Sequence, residues 1–174
     1  LSAIAWRHYL YYGDKCVLEE NYDAIRRYVE HLETISQSNG DILTGKTGKF
    51  SFIGDWVAPR RGMDTNNPPS HEARELFNNC YRNNQIELLM RMARVLKKTD
   101  DVNYYSNRLS EIRPKVHTAF YDVVKQQYVL DDQAYYVMPL MTGVTPDALR
   151  PLLLKKLEEN ILEKNAGHLD TGML

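Results

Sequence analysis

Only two cysteines, Cys16 and Cys80, occur in 174 residues, too few for a disulfide framework and at no metal-binding spacing. They read as two half-buried thiols. No apolar run approaches the roughly 20 residues that cross a bilayer, so no membrane partner is expected. Neither sign of charge is in excess. Against 23 acidic residues stand 22 basic ones, for a net charge of −1, and no basic stripe offers a footprint for nucleic acid. Glycine-rich phosphate loops, the HExxH pattern and a Ser-His-Asp arrangement are missing, so no cofactor and no metal are expected. A fixed-length repeat is lacking too, which argues against tetratricopeptide or ankyrin arrays.

What is present is helix. Residues 3–12, with Ile4, Trp6, Leu10 and Tyr11, predict a helix closed by Gly13. Tyr22, Ile25, Tyr28, Val29, Leu32 and Ile35 recur at three and four, which predicts a second helix over 18–36. Residues 40–69 carry Gly, Pro, Asn and Thr without a 3.6 period, and the alternation in "KFSFIGDW" permits a short strand. Such long connections are often functional. Ser70 reads as the N-cap of a third helix over 71–98. "KTDD" then reads as a turn into a fourth helix, which Pro114 should kink or interrupt before it continues through 116–120. Residues 121–132 read as a turn or short extended piece, and a fifth helix over 133–142 ends at Gly143. In "VTPDAL", Thr145 as N-cap, Pro146 at the first helical position and Asp147 in the first turn start a sixth helix to about 164. Six helices in antiparallel pairs with unequal loops imply an α/α toroid with a substrate-facing rim.

One short stretch stands apart, "FSFIGDWVAPRRG", which sets Asp55 between Gly54 and Trp56 in a loop. An aromatic ring beside a carboxylate can hold a sugar: the ring stacks on C–H groups and the carboxylate accepts from hydroxyls. The same pair can also serve as a loop anchor and a core plug. Of the five histidines, only His168 lies in a glycine-rich exit loop, beside Asp170 and Thr171. The other carboxylates fall mostly on polar helix faces.

"YYGDKCVLEENYDAIRRYVEHLE", "FIGDWVAP", "DDQAYYVMPLMTGVTP" and "GHLDTGML", in that order along nearly the whole chain, resemble the six-hairpin catalytic domain of bacterial α-L-rhamnosidases. The resemblance implies an all-α fold, part of an (α/α)6 barrel with about three helical hairpins and long rim loops. It also implies an inverting glycosidase that releases terminal α-L-rhamnose from glycans or glycosides. Asp55 and Trp56 match the family's Gly-Asp-Trp and are expected to line the sugar pocket, Trp56 as a wall and Asp55 as a hydroxyl acceptor. Gln133 is expected to orient a pocket loop, and His168 and Thr171 to order the rim. The family's general acid precedes the first block and its general base follows the last, so no catalytic residue is expected within 1–174.

A first residue that is Leu, an opening that reads as mid-helix and an ending on an apolar pair make this an expected piece of a longer protein. Residues 1–174 are therefore read as a partial catalytic domain truncated at both ends. Its expected partner is the remainder of that domain. Alone, with inner helix faces uncovered, it is expected to be poorly soluble and inactive. Two other readings stay open: an α/α-toroid glycosidase for a different sugar, and a non-catalytic helical scaffold. The compartment is not legible.

Overall fold

The structure is a computed structural model, and it describes residues 1–45, 52–55, 58–59 and 69–172. Among the described residues six α-helices make three hairpins: α1 (Ser2–Tyr12) with α2 (Cys16–Gln37), α3 (His71–Val95) with α4 (Thr99–Phe120), and α5 (Gln133–Met141) with α6 (Arg150–Glu159). Two-residue strands β1 (Tyr121–Asp122) and β2 (Gln127–Tyr128) pair antiparallel between the second and third hairpins.

The centre of the packing is α3, which touches α1, α2, α4 and α5. Ala73, Leu76, Phe77, Cys80, Ile86, Leu89, Met92 and Ala93 are buried along it, together with Asn79, Arg82 and Asn83. A helix buried on so many sides belongs to an interior. Its start follows the expected cap, for the Ser70 hydroxyl accepts the Ala73 N–H at 3.2 Å. Cys80 is fully buried and its thiol is pushed up to about 12 by that burial, whereas Cys16 is exposed. The pair is thus one inert and one solvent-facing thiol, not two half-buried ones.

Several local expectations are met. Gly13 ends α1 in the left-handed region at φ 68°, and its N–H reaches the Tyr9 carbonyl at 2.8 Å. Gly143, at φ 70°, follows α5. Others need correction. On α2 the buried stripe runs Leu18, Tyr22, Ile25, Val29, Glu33 and Ser36, while Tyr28 and Ile35 are about half exposed. The turn between α3 and α4 falls at Leu96–Lys98, with Lys97 at φ 58°, and the following Thr-Asp-Asp is already helix. Asp100 and Asp101 there sit in the first turn of α4, where the helix dipole favours acid.

Pro114 does not interrupt α4, which is continuous from Thr99 to Phe120. The carbonyl deprived of a donor belongs to Ser110, on the exposed side, where water can satisfy it. Thr145 is no N-cap. Its side chain is buried with Oγ1 3.2 Å from the Tyr128 hydroxyl, and Pro146 leads instead into a short 3-10 turn, Asp147–Leu149. After that turn α6 begins, and it passes into a π-helical stretch, Asn160–Lys164. Phe52, Ile53, Gly54 and Asp55 form no strand, and the remainder of the possible strand lies outside the described residues.

Candidate functional site

The 52–55 stretch is pressed onto the first turns of α3. Gly54 has φ 72°, and a Cβ there would stand 2.9 Å from Arg74 Cγ and 3.3 Å from Arg74 Cα. Both the backbone angle and the close approach demand glycine. From α3, Arg74 Nη1 donates to the Phe52 carbonyl at 3.3 Å, holding the loop from below.

Asp55 is 0% exposed, so its carboxylate is turned into the protein. Its Oδ1 accepts the Gly172 N–H at 2.7 Å, linking residues 117 positions apart. Gln133, the first residue of α5 and 1% exposed, grips the same exit segment. Its Nε2 donates to the His168 carbonyl at 3.0 Å, and its Oε1 accepts the Asp170 N–H at 2.9 Å. Asp170 is buried, Thr171 half-buried, and the His168 side chain exposed.

Beneath this junction lies an aromatic group. The Phe77 ring centroid is 5.3 Å from that of Tyr81 and 6.1 Å from that of Tyr135, both pairs tilted. Burial, with the Asp55 charge added, raises the Tyr81 phenol above its ordinary value. Arg74, Phe77 and Tyr81 recur on α3 at three and four, so one helix face carries the floor of the loop. That spacing was the available sequence signal for Arg74 and Tyr81, which sequence reasoning passed over. Gly172 carried no such signal.

Four of the five singled-out residues, Asp55, Gln133, His168 and Thr171, fall within the described residues and meet at one rim; Trp56 lies outside them. Among the described residues no group of three His, Cys, Asp or Glu side chains could hold a metal. What the arrangement can do is orient. A carboxylate and a carboxamide, both removed from water, hold three backbone groups of one segment, where hydrogen bonds are strong and strongly directional.

Three helical hairpins with the 52–55 and 168–172 segments joined at one rim are part of an (α/α)6 barrel. The chain belongs to the family of the bacterial α-L-rhamnosidase six-hairpin glycosidase domain, whose model matches residues 1–174. It is 25% identical over 173 residues to an α-L-rhamnosidase of Formosa agariphila, covering 99% of this chain and 18% of that protein. To an α-L-rhamnosidase of Streptomyces avermitilis it is 28% identical over 172 residues, covering 98% of this chain and 15% of that protein. Among solved structures, an α-L-rhamnosidase of Dictyoglumus thermophilum is similar at a TM-score of 0.80 and 30% identity, over 98% of this chain and 18% of that one. The Streptomyces avermitilis α-L-rhamnosidase complexed with L-rhamnose is similar at 0.79 and 25% identity, over 97% of this chain and 14% of that one. The chain therefore spans less than a fifth of the length of these relatives.

Proposed function

We propose that the full-length protein carrying this chain is an inverting glycoside hydrolase that releases terminal α-L-rhamnose from glycans or glycosides. The observation that carries the reading is the family match along all of residues 1–174. A relative bound to L-rhamnose, similar along nearly the whole chain, supports the sugar class.

In this reading the rim joined by Asp55 and Gly172 borders the sugar pocket. Trp56 supplies a stacking wall, Asp55 stands at its base, and Gln133, His168 and Thr171 order the edge. The chain contributes pocket structure, and the two catalytic carboxyl groups come from sequence on either side of it. An inverting pair stands about 6.5–9.5 Å apart, so that a water fits on the face opposite the leaving group. The rest of the barrel also provides the partner surface for α1, whose Ile4, Leu10, Tyr11 and Tyr12 are exposed.

The test is hydrolysis of p-nitrophenyl α-L-rhamnoside by the full-length protein, with the sugar anomer followed by proton NMR. Turnover with β-L-rhamnose appearing first is expected. The α-anomer first would overturn inversion while keeping the substrate. Turnover of another glycoside, with none on rhamnoside, would overturn the sugar assignment.

A further inference from the structure

We propose that Asp55 and Gln133 are a pair of positioning residues that hold the 168–172 segment as an extended edge at the pocket mouth, acting on its backbone and not on sugar. For its catalytic consequence this rests on the rhamnosidase reading. The clamp itself rests on geometry alone.

The groups held are the His168 carbonyl, the Asp170 N–H and the Gly172 N–H. They fall on every second residue, the spacing at which an extended chain presents backbone groups along one edge. Gln133 accepts from one N–H and donates to the carbonyl two residues earlier, the pattern a residue of a parallel strand offers its neighbour. Asp55 takes the next N–H along that edge. Two side chains from distant parts of the chain thereby do the work of a missing strand. Both side chains are essentially unexposed, so the side-chain end of each hydrogen bond is shielded from competing water.

The chemistry separates this role from sugar contact. Holding the Gly172 N–H needs an acceptor oxygen, which asparagine retains. The Gln133 position needs one donor and one acceptor, which glutamate does not retain because its ionised form cannot donate. The two sites therefore differ in which near-isosteric replacement is tolerated.

The experiment uses the full-length protein with Asp55→Ala, Asp55→Asn, Gln133→Ala and Gln133→Glu. Each variant is followed by hydrogen exchange of peptides spanning 166–172, by thermal melting, and by kcat and KM on p-nitrophenyl α-L-rhamnoside. Exchange in 168–172 is expected to rise at least tenfold in Asp55→Ala, Gln133→Ala and Gln133→Glu, and to return close to wild type in Asp55→Asn. With melting transitions still cooperative, kcat should fall at least tenfold in the first three while KM changes less than threefold, and Asp55→Asn should recover most of the kcat lost in Asp55→Ala. Unchanged exchange in Asp55→Ala overturns the clamp. So does an Asp55→Asn variant with wild-type exchange but the kcat of Asp55→Ala, which would put the carboxylate on substrate. A wild-type protein inactive on rhamnosides overturns the activity reading and leaves the exchange comparison as the test of the clamp.

Discussion

Glu33 and Asp55 are both buried carboxylates, at 4% and 0% exposure, and they are used differently. Glu33 lies in a charge network. Its Oε1 takes Arg108 Nε at 2.7 Å and its Oε2 takes the Tyr104 hydroxyl at 3.2 Å. Arg108 also reaches Asp41 at 3.1 Å and Glu111 at 2.6 Å; Lys115 meets Asp41 at 2.6 Å; and Arg82 Nη2 donates to the Asp41 carbonyl at 2.7 Å. That network ties α2, the turn after it, α3 and α4 into one body. Asp55, by contrast, spends an oxygen on a backbone N–H of a loop. Burial of a carboxylate does not by itself mark a functional site. The reach tells more: Glu33 ties helix to helix, whereas Asp55 Oδ1 takes the backbone of a segment 117 residues away.

The largest expected effect tests the scaffold half. Glu33→Ala takes from Arg108 and Tyr104 their shared buried acceptor, leaving Arg108 only Asp41 and Glu111, and such a loss costs about 3 kcal/mol. Urea unfolding of the protein should register that loss. A cost no greater than that of an exposed Glu→Ala, such as Glu30→Ala, would dissolve the contrast between the two carboxylates.

Next comes a test of the rim that avoids charge. Gly13 and Gly54 both have positive φ, at 68° and 72°, but a Cβ on Gly13 meets nothing within 4 Å, whereas one on Gly54 runs into Arg74. Gly13→Ala should cost only the left-handed strain, about 1 kcal/mol. Gly54→Ala should cost about 2 kcal/mol or more, because the loop must also lift from α3. Equal costs by thermal melting would mean that the 52–55 loop yields freely, and the positioning argument would lose its rigid base.

How far such things are legible in sequence follows from range. Gly13, Ser70 and Gly143 act within a turn or two, and each read correctly. Thr145 misled because its hydroxyl answers to Tyr128, 17 residues earlier, not to the helix it precedes. Tyr28 and Ile35 misled because apolar spacing does not reveal which flank of the stripe a neighbouring element covers. At the site, Asp55 and His168 stood out by residue type and loop context, and Gln133 only through the family resemblance. Nothing local, however, announces that Asp55 will find Gly172 or that Gln133 will grip residues 35 and 37 positions on. The glycine beside Asp55 was readable as a close-approach residue; the helix it approaches was not.

The smallest effect is a pH dependence that separates the charge network from the β1–β2 corner by window. Hydrogen bonding from Lys115, opposed by burial and helped by Arg108, holds the Asp41 carboxyl below its ordinary range. A depressed folded value gives stability that is present above the unfolded value, about 3.9, and is lost as pH falls through the folded one. His117 behaves in the same direction for another reason. Burial pushes its imidazole below the ordinary 6.5, with Nδ1 2.9 Å from the Tyr128 hydroxyl and the ring stacked on Tyr121 at 4.7 Å. The unfolded chain then takes the proton first, so stability declines as pH drops below about 6.5. Melting temperature measured from pH 7.5 to 3 should therefore fall in two steps, a shallow one that His117→Phe removes and a more acidic one that Asp41→Asn reduces, the depressed carboxyls of Glu87, Asp122 and Asp131 carrying the remainder. A single acid step that neither substitution changes would show that Asp41 and His117 do not carry the acid sensitivity of this domain.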